Sequence, residues 1–249
     1  MKTILLTNDD GVFSRGLSEL KRSLEDRYSV YVVAPDRERS AVSMALTLNH
    51  PLRVKELAER VYAVDGTTAD CVNLAMQKLL PIRPDFVLSG MNIGENLAED
   101  IFFSGTVGGA FSAVLYGIPA MAVSLMSGPG SADELLIDFG QGADLSRRIM
   151  EIMLAQADPH VIYNVNIPFP NREIVRVTTL GKKRYTPDVI EREDPRGRNY
   201  FWIGTGMPDY IGDEGTDIQT VNRGEISLSP LKYAFSMQAE IDRLRPCFE

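Results

Sequence analysis

Short apolar runs alternate with stretches of helical period along most of the chain. TILLT (3–7) is followed by Leu17, Leu20 and Leu24 at helical spacing, then by YSVYVVAP and VYAVDG, then by Ala69, Val72, Met76 and Leu79. DFVLSG and AMAVSL continue the series with TVGGAFSAVLYG between them as a helix, and VIYNVNIP and VRVTTLG read as further strands. Apolar runs this short, bounded by turn signals, suit strands buried on both faces. Their alternation with helical segments predicts βαβ units around a mostly parallel sheet flanked by helices, an α/β fold.

The pattern changes from Lys182 to about Arg223, where charges, glycines and an aromatic strand YFWIG appear without a helical period. The stretch is too long for an ordinary loop and reads as a projecting β-hairpin arm used for assembly, in preference to a disordered insert. GEISLSPL then reads as a strand, and Tyr233 to Leu244 as a C-terminal amphipathic helix stopped by Pro246. The expected organisation is one α/β domain over 1–249, with an oligomerisation arm at about 182–223 inside it.

Composition narrows the functions available. With 249 residues, 44% hydrophobic and 24% charged, the chain can bury a large core. Its formal charge of -8 is the wrong sign for holding nucleic acid through the overall field, so a phosphate-bearing ligand needs a local device. Cys71 and Cys247 lie far apart, and Cys71 falls in an apolar-periodic stretch, which gives no support to a disulfide framework. The N-terminal MKTILLTNDDG carries an apolar run too short for a signal peptide, and no stretch reaches transmembrane length. A cytoplasmic protein without a membrane partner is expected.

In open parallel sheets, ligands bind outside the carboxyl ends of the strands. The polar residues that need explaining fall there. Asp9 and Asp10 follow the first strand, Ser40 lies in PDRERSA after the second, Asn92 lies in SGMNIGEN after DFVL, and Ser104, Gly105 and Thr106 come shortly after. Two adjacent carboxylates repel, and a cation between them relieves the repulsion. Asp9, Asp10, the Ser40 hydroxyl and the Asn92 amide oxygen form the kind of oxygen set that Mg²⁺ or Mn²⁺ prefers. A dehalogenase-type phosphatase, by contrast, needs an aspartate nucleophile where this chain has Asn8. NDDG is also ordinary turn chemistry, but that leaves two neighbouring carboxylates without a reason.

SGTVGGAFSAV places hydroxyls and glycines at a helix start. It reads either as an anion nest, with Gly105, Gly108 and Gly109 letting a phosphate approach, or as a plain N-cap with packing glycines; its position beside the carboxylate turn favours the nest. A nicotinamide-binding fingerprint is missing from NDDGVFSRG, so Asp36 is weak evidence for ribose binding. His50 and His160 sit in turn-like contexts next to prolines and read as surface residues, Thr67 and Asp70 as a capped helix start, and Trp202 with Tyr200 and Phe201 as packing.

These residues together resemble the stationary-phase survival protein SurE family of metal-dependent nucleotidases. The blocks ILLTNDDGVFSRGL, VVAPDRERSAVSMALTL, DGTTADCVNLA, PDFVLSGMNIGENLAEDIFFSGTVGGAFSAVLYGIPAMAVS and GTDIQTVNRGEISLSPL all look like family blocks in family order. The resemblance implies a Rossmann-like fold and hydrolysis of nucleoside 5′- and also 3′-monophosphates by a metal-activated water. It also implies homodimers or homotetramers built through the arm and an exchanged C-terminal segment. The family's metal ligands match Asp9, Asp10, Ser40 and Asn92, holding one Mg²⁺ or Mn²⁺ per subunit, with Asp9, Asp10 and Asn92 serving catalysis. Its phosphate-side residues match Asn96, Ser104, Gly105 and Thr106. One departure is Thr68, where the family block has proline; it is expected to affect a helix start and leave the metal site untouched. A broad phosphatase acting on sugar phosphates or polyphosphate, and a non-catalytic nucleotide or phosphate sensor, remain as alternative readings.

Overall fold

Thr3–Thr7 is buried at every position and forms β1 in the middle of a nine-stranded sheet. The structure, a computed structural model, describes residues 1–127, 136–184, 189–203, 209–233 and 237–248. The chain continues through α1 (Arg15–Leu24), β2 (Ser29–Pro35), β3 (Val54–Ala58), β4 (Val61–Val64), α2 (Thr68–Leu74) and β5 (Phe86–Ile93). Then come α3 (Gly105–Leu115), β6 (Ala120–Met126), α4 (Phe139–Gln156) and β7 (Ile162–Pro168). The sheet order is β3-β4-β2-β1-β5-β6-β7, continued by β13 (Ile226–Leu231) and β8 (Val175–Val177). Strands β4, β2, β1, β5, β6 and β7 are mutually parallel, while β3 and β13 pair antiparallel to β4 and β7.

Two cores sandwich the sheet. On one face Leu17, Leu20 and Leu24 of α1 meet Ile149 and Met150 of α4 over Ile4, Leu6 and Leu88. On the other, Cys71 and Val72 of α2 and Val107, Ala110 and Val114 of α3 cover Leu5, Val33 and Val87. Helix starts are fixed by side chains: Ser14 caps α1, Ser104 caps α3, and Thr67 with Asp70 forms a reciprocal capping box on α2. The helical period read through Met76 and Leu79 continues beyond α2 as a wider π-type turn over Ala75–Leu79.

The Lys182–Arg223 stretch differs from its expectation. β9 (Lys182–Arg184) pairs with β12 (Asp209–Ile211), and β10 (Val189–Glu193) pairs antiparallel with β11 (Asn199–Ile203). The stretch then ends in a helix, α5 (Asp217–Asn222). No helix is expected there, because its buried face is supplied by only Ile218 and Val221, too few apolar positions to establish a period. The arm also starts on the body, since Lys183 Nζ reaches Asp100 at 2.6 Å. Every residue of β10 and β11 is exposed, so these two strands are the part that projects. The C-terminal helix is shorter than expected: α6 runs Gln238–Leu244 and passes into a 3₁₀ turn containing Pro246, and residues 234–236 of the expected helix lie outside the described residues.

Candidate active site

The chain reverses its direction of winding at β1, whose neighbours are β2 on one side and β5 on the other. Such a reversal opens a crevice at the carboxyl edge, and Asp9 and Asp10 leave β1 into it. The turn is held from within. Gly11 N–H donates to Asn8 Oδ1, and Asn8 Nδ2 donates to Gly11 O and, at 2.7 Å, to Ser14 Oγ. Both ends of the buried Asn8 amide are therefore spent on the turn, which leaves it a structural role. Gly11 supplies the positive φ of 101°.

Asp9 is 3% exposed and points at the start of α3. Its Oδ1 accepts a hydrogen bond from the Thr106 hydroxyl, and a Cβ on Gly105 would lie 2.7 Å from its Oδ2. Gly105 and Thr106 thus support the carboxylate directly. Gly108 and Gly109 are packing glycines: a Cβ on the first would strike Ser43 O at 2.5 Å, and on the second Thr68 Cγ2 at 2.6 Å. The reading of these two as phosphate-approach positions is corrected accordingly. Burial pushes the Asp9 carboxyl above its ordinary pKa despite the opposing Thr106 hydrogen bond.

Asp10, Ser40 and Asn92 line one cavity of about 320 Å³, together with Ser14, Arg15, Glu38 and Met91. Asn92 lies within β5, beyond an irregularity that shifts the register against β6 between Ser89 and Asn92, where the sequence reading places a loop. Its Nδ2 donates to Gly94 O at 2.9 Å, which leaves Oδ1 as the atom that can face a cation. The Ser40 hydroxyl donates to Glu38 Oε1 at 2.8 Å, and Arg39 N–H donates to Asp9 O at 2.7 Å, tying this loop to the carboxylate turn. The residues fit a hard cation: two carboxylates, an amide oxygen and a hydroxyl, with no thiol or imidazole among the set.

Asn96 stands further along the edge, against the ends of β6 and β7. Its Nδ2 donates to Ser124 Oγ, its N–H to Asn166 Oδ1, and its carbonyl accepts from Asn164 and Asn166. Two residues escaped the sequence reading. Glu38 is a second carboxylate lining the cavity beside Asp10, and its place two residues before Ser40 was the available signal. Arg15 also lines the cavity and lies over the Phe139 ring at 4.8 Å, a neighbour that no local motif reveals. Thr68 opens α2, as expected of a helix-start position, and its hydroxyl also donates to Asn8 O at 3.0 Å, a contact with the backbone of the carboxylate turn. A cavity of about 880 Å³ lies elsewhere, in a trough lined by Phe102, Phe111, Leu115 and Leu231 among others, and no carboxylate is among the residues that line it.

The family model for survival protein SurE matches residues 4–187. This chain belongs to the SurE family. Within it, the chain is 47% identical over 232 residues to the 5′-nucleotidase SurE of Pelobacter propionicus, covering 92% of each chain. It is 46% identical over 245 residues to the 5′-nucleotidase SurE of Geobacter metallireducens, covering 97% of this chain and 96% of that one. The crystal structure of the SurE protein from Aquifex aeolicus superposes with a TM-score of 0.85 at 36% identity, over 99% of this chain and 100% of that one. The SurE match spans β1 to β9 and so contains every residue assigned above to the cavity and to the start of α3.

Proposed function

We propose that this chain is a divalent-cation-dependent 5′-nucleotidase that hydrolyses nucleoside 5′-monophosphates, and 3′-monophosphates as secondary substrates, to nucleoside and phosphate. The observation that carries the reading is the arrangement of Asp9 against α3, with Asp10, Ser40 and Asn92 around one polar cavity at the β1/β5 reversal. These four residues would hold one Mg²⁺ or Mn²⁺, which when bound would supply charge stabilisation at the phosphoryl oxygens and an activated water for attack on phosphorus. Asp9 and Asp10 would serve to orient the attacking water, and Asn92 would offer its amide oxygen. Asn96 and the Ser104–Gly105–Thr106 segment sit on the phosphate side, where the α3 dipole favours an anion. Arg15 adds a guanidinium at the cavity wall.

A phosphate-release screen over AMP, 3′-AMP, ribose 5-phosphate and polyphosphate, with and without Mn²⁺, tests the reading. Preference for nucleoside monophosphates and silence in chelator are expected. Equal turnover of every ester points to a broad phosphatase, and saturable binding without turnover points to a sensor.

Self-association belongs to the same proposal. β11 exposes Tyr200, Phe201, Trp202 and Ile203, and α6 buries none of its residues on its own chain. A homodimer or homotetramer covers these surfaces. A cytoplasmic setting agrees with the free thiols of Cys71 and Cys247, and no helix among the described residues is long and apolar enough to cross a membrane.

A further inference from the structure

A third cavity adjoins the segment that follows the carboxylate turn, at Phe13. It has a volume of about 510 Å³ and is lined by Phe13, Asp36, Arg53, Val54, Lys55, Leu57, Ala63 and Asp65. Val54, Leu57 and Ala63 give it apolar wall, Arg53 and Lys55 balance Asp36 and Asp65 in charge, and Phe13 in its lining is 79% exposed. Single exposed apolar residues are common and need no explanation. Phe13 is different because its backbone is fixed: Val12 N–H donates to Pro35 O at 2.8 Å, and Ser14 N–H to Gly11 O at 3.0 Å. A rigid turn therefore presents an open aromatic face three residues after Asp10, within about 11 Å of chain even if fully extended. That is the reach of a nucleoside monophosphate from phosphorus to base.

The two carboxylates of this cavity are not equivalent. Asp65 is committed to its neighbour, accepting Arg53 N–H at 2.7 Å and facing the Arg53 guanidinium at 3.7 Å. Among the described residues, Asp36, directly after β2, is approached only by Arg37 Nε at 3.7 Å and Arg39 Nη2 at 4.0 Å, both beyond hydrogen-bond length. Its side chain retains acceptor capacity, and its backbone is pinned by Asp36 N–H to Val64 O at 2.7 Å. No glycine-rich phosphate turn accompanies Asp36 here, so its case rests on geometry: a carboxylate with acceptor capacity to spare that lines the same groove as Phe13.

We propose that this groove is the nucleoside subsite, in which Asp36 accepts the ribose hydroxyls and the Phe13 ring stacks on the base. The inference rests on the nucleotidase reading and gives it a means of separating nucleotides from other phosphate esters. Stacking accepts any base, so the subsite selects nucleosides as a class and discriminates weakly among bases.

The test uses the Mn²⁺-loaded full chain for kinetics and chelator-treated protein for adenosine binding by saturation-transfer NMR. Phe13→Ala should lower the ratio of kcat/KM for AMP to that for glycerol phosphate by about tenfold, the lower range of base–aromatic stacking, and should do so through KM. Phe13→Tyr should restore the ratio. Asp36→Asn should erode the preference for AMP over 2′,3′-dideoxy-AMP, and adenosine should lose its NMR signal in Phe13→Ala. An unchanged ratio in Phe13→Ala overturns the subsite. So does an absence of adenosine binding in a wild type that hydrolyses glycerol phosphate, although the phosphatase then stands. If no ester is hydrolysed while adenosine binding still depends on Phe13, the nucleotidase reading falls and the subsite survives.

Discussion

Asp9 is the residue on which the site turns, because it joins the strand end to the helix start. Its hydrogen bond from the Thr106 hydroxyl is charge-assisted, a class worth about 1.5–3 kcal/mol. Thr106→Val should therefore weaken Mn²⁺ binding by about tenfold or more, read by calorimetry, with the fold retained. The sign of the pH dependence follows from burial. Burial raises the Asp9 pKa in the metal-free protein, so ionising Asp9 costs stability as pH rises from the ordinary carboxylate value through the raised one. A cation removes that cost, and protons compete with it. The rise in Tm on adding Mn²⁺ should be larger at pH 8 than at pH 5; a larger rise at pH 5 contradicts the assignment. The candidate ligands were legible in the sequence because each sits near or beyond the carboxyl end of a strand. The donor to Asp9 was not, since Thr106 lies 97 positions away and only the packing of α3 brings it in.

Helix α3 owes its place to its glycines. Gly108 packs on the Ser43 backbone, which belongs to the loop that also carries Ser40. Gly108→Ala drives its Cβ into that backbone, a form of overpacking that costs about 1–3 kcal/mol, and should lower both Tm and metal affinity. The parallel strands and α1 to α3 could be read in advance, because buried runs and helical periods survive in the sequence. β3 could not: VKELA is an exposed edge strand, with no apolar alternation to mark it. α4 is masked for another reason. Its buried face includes Gly142, Ala143 and Ser146, residues too small or too polar to register as a hydrophobic period, although Gly142 lets Leu125 pack close. The α5 segment was hidden inside a charged stretch, yet buried Asp217 fastens it to the site region by accepting the N–H groups of Ala98 and Gly181.

At the scale of the molecule, a net charge of -8 makes local cation binding the means by which an anionic substrate is met. The proposed self-association draws on the exposed aromatic face of β11 and the exposed helix α6. Replacing residues 189–203 by a short glycine linker should reduce molar mass by light scattering; an unchanged mass in a folded protein contradicts the assembly proposal. Phosphate release is proposed to depend on a cation held by the four oxygen ligands. The most direct test of that dependence is phosphate release from AMP by chelator-treated protein as Mn²⁺ is titrated back, in wild type and in Asp9→Asn. Turnover is predicted to be abolished by chelator, restored in wild type, and restored in Asp9→Asn only weakly and at much higher Mn²⁺. Full turnover in chelator, or an Asp9→Asn titration that overlays wild type, would contradict it.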